Sequence, residues 1–168
     1  MSHKSTRIAA MIESFRGQEL DAHYLGYFDC FNRQMFYEAH EVLEDLWLAD
    51  RHGANGNFYK GLIQLAGAFV HLQKDRLRPS AALFKLARTN LEKYPGIHER
   101  LNLVAVLAMI ADWQQRLEQG RVMVTVADVL ASYRCGTRPV PEIPEADLIK
   151  PLPLEDWEVL RDNDRNPW

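Results

Sequence analysis

The chain has 168 residues, 47% hydrophobic and 26% charged, with a net charge of −3; that length buries a core without staples, and the composition is that of one globular domain. A slightly acidic balance gives no footprint for a phosphate backbone, so no nucleic-acid partner is indicated. No apolar run reaches spanning length, and Met1–Ser5 lacks the basic-then-hydrophobic order of a signal peptide, so no membrane partner is expected and the expected compartment is the cytoplasm.

Thr6 to Phe15 predicts a short helix with Ile8, Met11, Ile12 and Phe15 on one face, closed by Gly17. Leu20 to Phe31 follows at helical spacing through Leu20, Tyr24, Tyr27, Phe28 and Phe31, and Asn32-Arg33-Gln34 reads as a turn. Met35 to Ala49 contains no Gly or Pro and repeats Ala39, Val42, Leu43 and Leu46 with helical period. Arg51 to Asn57 is a loop by its turn chemistry, with Asn57 expected to cap a helix over Phe58 to Lys74. Asp75 to Pro79 breaks that helix, and Ser80 is the expected cap of the next, Ala81 to Tyr94. Its inner face is Leu83, Leu86, Ala87, Leu91 and Tyr94, and Pro95-Gly96 stops it. Leu101 to Gln119 predicts a further helix with Leu103, Val106, Leu107, Ile110, Trp113 and Leu117 as its stripe.

After Gly120 the pattern changes. Val122 to Val126 is β-branched and reads as extended, and Asp128 can cap a short helix, Val129 to Tyr133. Six of the eight prolines (Pro139, Pro141, Pro144, Pro151, Pro153 and Pro167) fall in the last thirty residues, which excludes a regular helix there. The expected fold is therefore all-α: a single-domain antiparallel bundle over residues 1–134, with an extended Pro-rich arm over 135–168. The arm's apolar residues suggest packing on the bundle or on a partner subunit, which would make a homo-oligomer. Cys30 and Cys135 have no metal-like or redox spacing and read as a reduced pair.

Chemistry concentrates on two helices. His40, Glu44 and Trp47 recur at i, i+4, i+7, so a helix stacks them along one stripe. At 100° per residue, Phe36, Glu44 and Trp47 fall within about 40° of His40. Glu38, Glu41 and Asp45 fall between about 100° and 160°, as a solvated face. Glu44 thus shares the core edge with an imidazole and two aromatics. The next helix is apolar almost all round, leaving one polar stripe of Lys60, Gln64, Gly67, His71 and Lys74. If that stripe meets the first, His40, Glu44 and His71 form a two-His-one-carboxylate set for a divalent metal, with Gln64 and Trp47 beside it. Such a set would serve metal-assisted hydrolysis. His40 and Glu44 alone suit metal-free acid–base work. The zincin pattern is excluded because the position of its second His is Glu44, and the Glu-x-x-His pair of di-iron bundles is missing at Tyr37 and Ala68. His3, His23, His52 and His98 are scattered and expected to be exposed.

The run Phe31-Asn32 … Phe36-Tyr37-Glu38-Ala39-His40-Glu41-Val42-Leu43-Glu44 … Trp47, then Gly61-Leu62-Ile63-Gln64-Leu65-Ala66 … His71-Leu72, then Ala82-Leu83 … Ala87, resembles the DUF309 family of bacterial and archaeal proteins. The family's His-x-x-x-Glu-x-x-Trp hallmark is matched by His40, Glu44 and Trp47, and the likeness runs from about Phe28 to Tyr94. It implies an all-helical fold and roles centred on His40, Glu44, Trp47, Gln64 and His71, and it implies no activity. Arg76 to Ala81 departs from the Asn-Gly-Ala loop that the family often carries. Two functional readings follow. One is a small helical hydrolase, with His40 and Glu44 catalytic and a metal on His40, Glu44 and His71. The other is a non-enzymatic protein-binding or scaffold module in which these side chains form a structural hydrogen-bond network. The partner is accordingly a small molecule or a protein.

Overall fold

A computed structural model describes residues 3–118. Six helices pack in chain order: α1 (His3–Ile12), continued by a 3-10 turn at Glu13–Phe15, α2 (Ala22–Asn32), α3 (Phe36–Asp50), α4 (Gly56–Gln73), α5 (Leu77–Leu91) and α6 (Leu103–Glu118). The expected all-α bundle is borne out. The arm over 135–168, the extended run at Val122–Val126 and the short helix at Val129–Tyr133 lie outside the described residues.

α4 is central, with its largest interfaces on α5 and α3, as its nearly all-round apolar surface requires. Phe58, Leu62, Leu65, Ala66, Ala68 and Leu72 are buried on it. Gly61 lets α5 approach: a Cβ there would lie 2.8 Å from Leu91 and 3.3 Å from the Ala87 carbonyl. An aromatic cluster fills the middle of the core. Phe36 stacks on Phe69 with ring centroids 4.9 Å apart, and Trp113 of α6 closes on Phe69 at 5.6 Å.

Helix ends show where local sequence signals failed. α2 and α4 both stop in Schellman motifs, with Met35 N–H donating to the Cys30 carbonyl and Arg76 N–H to the His71 carbonyl. The left-handed residue in each is not Gly but Gln34 (φ 62°) and Asp75 (φ 55°). Asp21 caps α2 by accepting from His23 N–H at 2.8 Å. The expected Asn57 cap is wrong: α4 starts two residues before the expected Phe58, at Gly56, and Tyr94 does the capping from a distant segment. The Tyr94 hydroxyl accepts from Phe58 N–H at 2.9 Å and donates to the Ala54 carbonyl, meeting the third orphan N–H that a local Ser or Asn usually serves.

The Ser80 cap is also wrong. α5 already begins at Leu77, with Pro79 in its first turn, where proline is tolerated. Ser80 is wholly buried and its hydroxyl donates to the Ala68 carbonyl of α4 at 2.9 Å. Leu86, expected on the inner face, is 49% exposed, and Phe84 takes the core position instead.

Between α5 and α6 lies a small antiparallel hairpin, β1 (Ile97–His98) paired with β2 (Leu101–Asn102). Its two-residue loop puts Glu99 (φ 48°) and Arg100 (φ 58°) in the left-handed region, as the favoured hairpin turn demands. Tertiary contacts hold it. Tyr24 hydroxyl donates to the Glu99 carbonyl at 2.9 Å, Asn55 amide to the Glu99 carboxylate at 3.0 Å, and Arg100 pairs with Glu19 at 3.2 Å. No Asn or Gly marks this loop, which is why periodicity alone reads through it.

Candidate functional site

The two polar stripes meet, but not all of their members do. A cleft of about 330 Å³ opens between α3, α4 and α5, lined by Tyr37, His40, Ile63, Gln64, Gly67, Val70, His71 and Leu83. His40, Gln64 and His71, singled out by helical spacing, therefore share one wall system. Glu44 and Trp47 do not line it.

Glu44 is committed elsewhere. Its carboxylate accepts from Lys4 of α1 at 2.6 Å, with both side chains partly exposed. One step round α3, Glu41 corrects the solvated-face expectation: it is buried and ion-paired with Arg7, also of α1. The wheel placed Glu41 correctly in angle, but helix periodicity does not say that α1 covers that angle. Glu38 and Asp45 are half-buried. Trp47 is half-buried as well.

The consequence for the metal reading is direct. Among the described residues no group of three His, Cys, Asp or Glu side chains is placed to hold a metal, and the carboxylate of the expected set already has an ammonium partner. The single network of the scaffold reading is not formed either. Gln64 pairs with Asn90 of α5, whose Nδ2 donates to the Gln64 Oε1 at 2.7 Å. Glu44 pairs with Lys4, and the Nδ1 atoms of His40 and His71 are buried with no hydrogen-bond partner.

Among the described residues these are two of three buried side-chain nitrogens without a partner, the third being Arg100 Nε in the hairpin loop. A buried polar atom without a partner costs free energy, so native folds seldom keep one without a use. His71 sits two residues from the end of α4, and its carbonyl is pinned by the Schellman bond from Arg76 N–H. Burial holds its imidazole below the usual histidine range, and the Arg76 and Lys74 cations push the same way. The stability that follows has a definite sign. A base with a lowered folded pKa contributes fully above its unfolded value, near 6.5, and the contribution is lost as pH falls below it. In an NMR titration the His71 imidazole is expected to turn over below pH 6.5, and unfolding free energy to fall with pH in that window less in His71→Gln than in the native chain.

Tyr37 and Asn90 were not found by pattern. Tyr37 is 54% exposed and lies flat against His40, with ring centroids 6.2 Å apart and planes 23° from parallel; its i, i+3 spacing from His40 was the available signal. Asn90, three residues after buried Ala87, was a polar residue on an inner face.

Other reactive groups are occupied or shielded. Cys30 is buried, and desolvation pushes its thiol up to about 11, out of nucleophile range. His98, expected to be exposed, instead packs on Phe58 and Tyr94 with centroids 4.7 Å away and binds the Asn55 side chain at 2.6 Å. No described helix is long and apolar enough to cross a membrane.

Against known families, residues 24–83 match DUF309, described as a domain of unknown function. No curated protein and no solved structure matches the chain.

Proposed function

Taking as premise that residues 24–83 are a DUF309 domain, we propose that the cleft between α3, α4 and α5 is the functional site and that it receives a small molecule. What carries the reading is that His40, Gln64 and His71 line one opening, with each imidazole's Nδ1 buried and unbonded so that Nε2 is the ring nitrogen left for a ligand. The remaining lining supports the same use: Ile63, Val70 and Leu83 give apolar surface, with a few polar groups placed among it, as small-molecule sites have.

Hydrolysis is the reaction class this reading favours, with the imidazoles polarising a bond toward water instead of a metal doing so. Glu44 then acts outside the cleft, holding α1 through Lys4.

Gly67 offers a test that leaves the fold standing. A Cβ at Gly67 would meet only the flexible end of Leu83, at 3.2 Å, while the change to Ala removes a helix-interior glycine. Gly67→Ala is expected to keep or raise stability, by up to about 1 kcal/mol, and to narrow the cleft. In a ligand-observed NMR fragment screen, hits should shift the His40 and His71 imidazole signals and weaken in Gly67→Ala. Hits that leave both imidazoles unmoved and bind the variant equally would overturn the reading.

A further inference from the structure

The cleft's polar groups have a polarity that follows from the chain of bonds behind them. Lys93 Nζ donates to Asn90 Oδ1 at 3.2 Å. An ammonium can only donate, so the Asn90 atom it meets is the oxygen, and the Asn90 amide nitrogen must be the atom turned toward Gln64. That nitrogen donates to the Gln64 oxygen at 2.7 Å. Gln64 therefore has its acceptor engaged on the α5 side, and its amide NH₂ is what it offers the cleft.

The imidazoles add the same polarity. Nδ1 of His40 and of His71 is closed to water and unpartnered, so the ring nitrogen a ligand can meet is Nε2. In the neutral ring the proton belongs on Nε2: an orphan buried acceptor costs less than an orphan buried N–H. No Lys, Arg, Asp or Glu lines the opening, so no carboxylate is present to receive a cationic ligand.

Resting on the small-molecule reading above, we infer that this cleft selects ligands bearing a carbonyl oxygen on a small apolar body, held by Gln64 NH₂ and the imidazole N–H groups, with Asn90 as the positioning residue that sets Gln64. The chemistry is that of an amide, an ester or a carboxylic acid. At about 330 Å³ the opening has room for about ten water-sized volumes, so the ligand is a single ring or short branched chain with one such head.

The test uses three probes of one shape, benzamide, benzoate and benzylamine, titrated into the full chain with the Gln64 side-chain amide and the His71 imidazole followed by NMR. Benzamide, benzoate or both should give saturable shifts at both groups, and benzylamine should not. Tighter benzamide identifies a neutral carbonyl as the preferred head, and tighter benzoate a carboxylate. Gln64→Glu, which replaces the donor by an acceptor, should weaken the carbonyl probes about tenfold. Asn90→Asp should do what a structural role would not. With its oxygen facing Gln64, the Gln64 amide turns over, presents its own oxygen to the cleft, and the preference shifts toward benzylamine. Should that variant fail to fold, Gln64→Glu alone decides.

Benzylamine matching benzamide at the same signals in the native chain would overturn the donor assignment while leaving the site intact. Saturable binding of any probe that moves neither Gln64 nor His71, or no binding by all three, would overturn the site itself.

Discussion

Phe58→Ala is expected to lower the free energy of unfolding by about 3–5 kcal/mol, the range for emptying an aromatic site in a closed core. Phe58 has no exposed surface and sits where four rings converge: Tyr24 at 6.0 Å, Tyr59 at 5.6 Å, Tyr94 at 5.5 Å and His98 at 4.7 Å. These come from α2, α4, the segment after α5 and the hairpin, so the ring is a joint between non-neighbouring parts of the chain. Its backbone N–H is also the one that Tyr94 caps. Loss of the ring should therefore free the hairpin as well as open a cavity. Chemical denaturation gives the first effect, and hydrogen exchange at residues 97–102 the second. A loss below about 1 kcal/mol, as at surface sites, with the hairpin still protected, would contradict this account of the core.

The second large effect concerns α1. Arg7→Ala should cost about 1–3 kcal/mol, because it leaves the buried Glu41 carboxylate without its charged partner. Glu41 is 7% exposed and Arg7 48% exposed, so the cost falls on the acid side: a stranded buried anion loses more than a stranded, half-solvated guanidinium. Glu41→Gln should accordingly cost less than Arg7→Ala, and Arg7→Ala made in the Glu41→Gln background should cost under about 1 kcal/mol. The neighbouring Lys4–Glu44 pair, with side chains 40% and 29% exposed, is screened by water and should be worth about 0–1 kcal/mol. Equal costs for the single substitutions at Arg7 and Glu41 would show that the pair is not buried as described. Because both pairs tie α1 to α3, hydrogen exchange over residues 3–12 should quicken most in Arg7→Ala.

These two results bear on the cleft indirectly. With Glu44 and Glu41 both turned to α1, the cleft is left to Tyr37 and His40 of α3 and to the α4 and α5 residues that face them. A single helix thus divides its polar residues between holding a neighbour and lining a cleft. The hallmark triplet His40, Glu44 and Trp47 is split in the same way, with only His40 on the opening.

The helices, their approximate bounds and the central place of α4 were legible in the residues alone. Apolar periodicity is a local record of which face is buried, and α4 carries that record nearly all round. It also determined that His40, Gln64 and His71 belong to polar stripes on otherwise apolar helices, which is enough to bring them to one cleft once the helices pack. What covers each stripe depended on how the helices pack. Glu41 looked solvated and is buried because α1 lies over it, and Glu44 looked available and is taken by Lys4, forty residues away in sequence. Ser80 and Asn57 carried the chemistry of caps, yet Ser80 bonds across to α4 and the Tyr94 hydroxyl caps in place of Asn57. The hairpin at 97–102 had no turn signal of its own, because contacts from α2 and the start of α4 hold its left-handed residues. The polarity of Gln64 depends on Asn90 and, behind it, Lys93. The physical reason is common to all of these: a side chain's angle on its own helix is set by local geometry, but its partner is chosen by whichever distant element the packing brings against it.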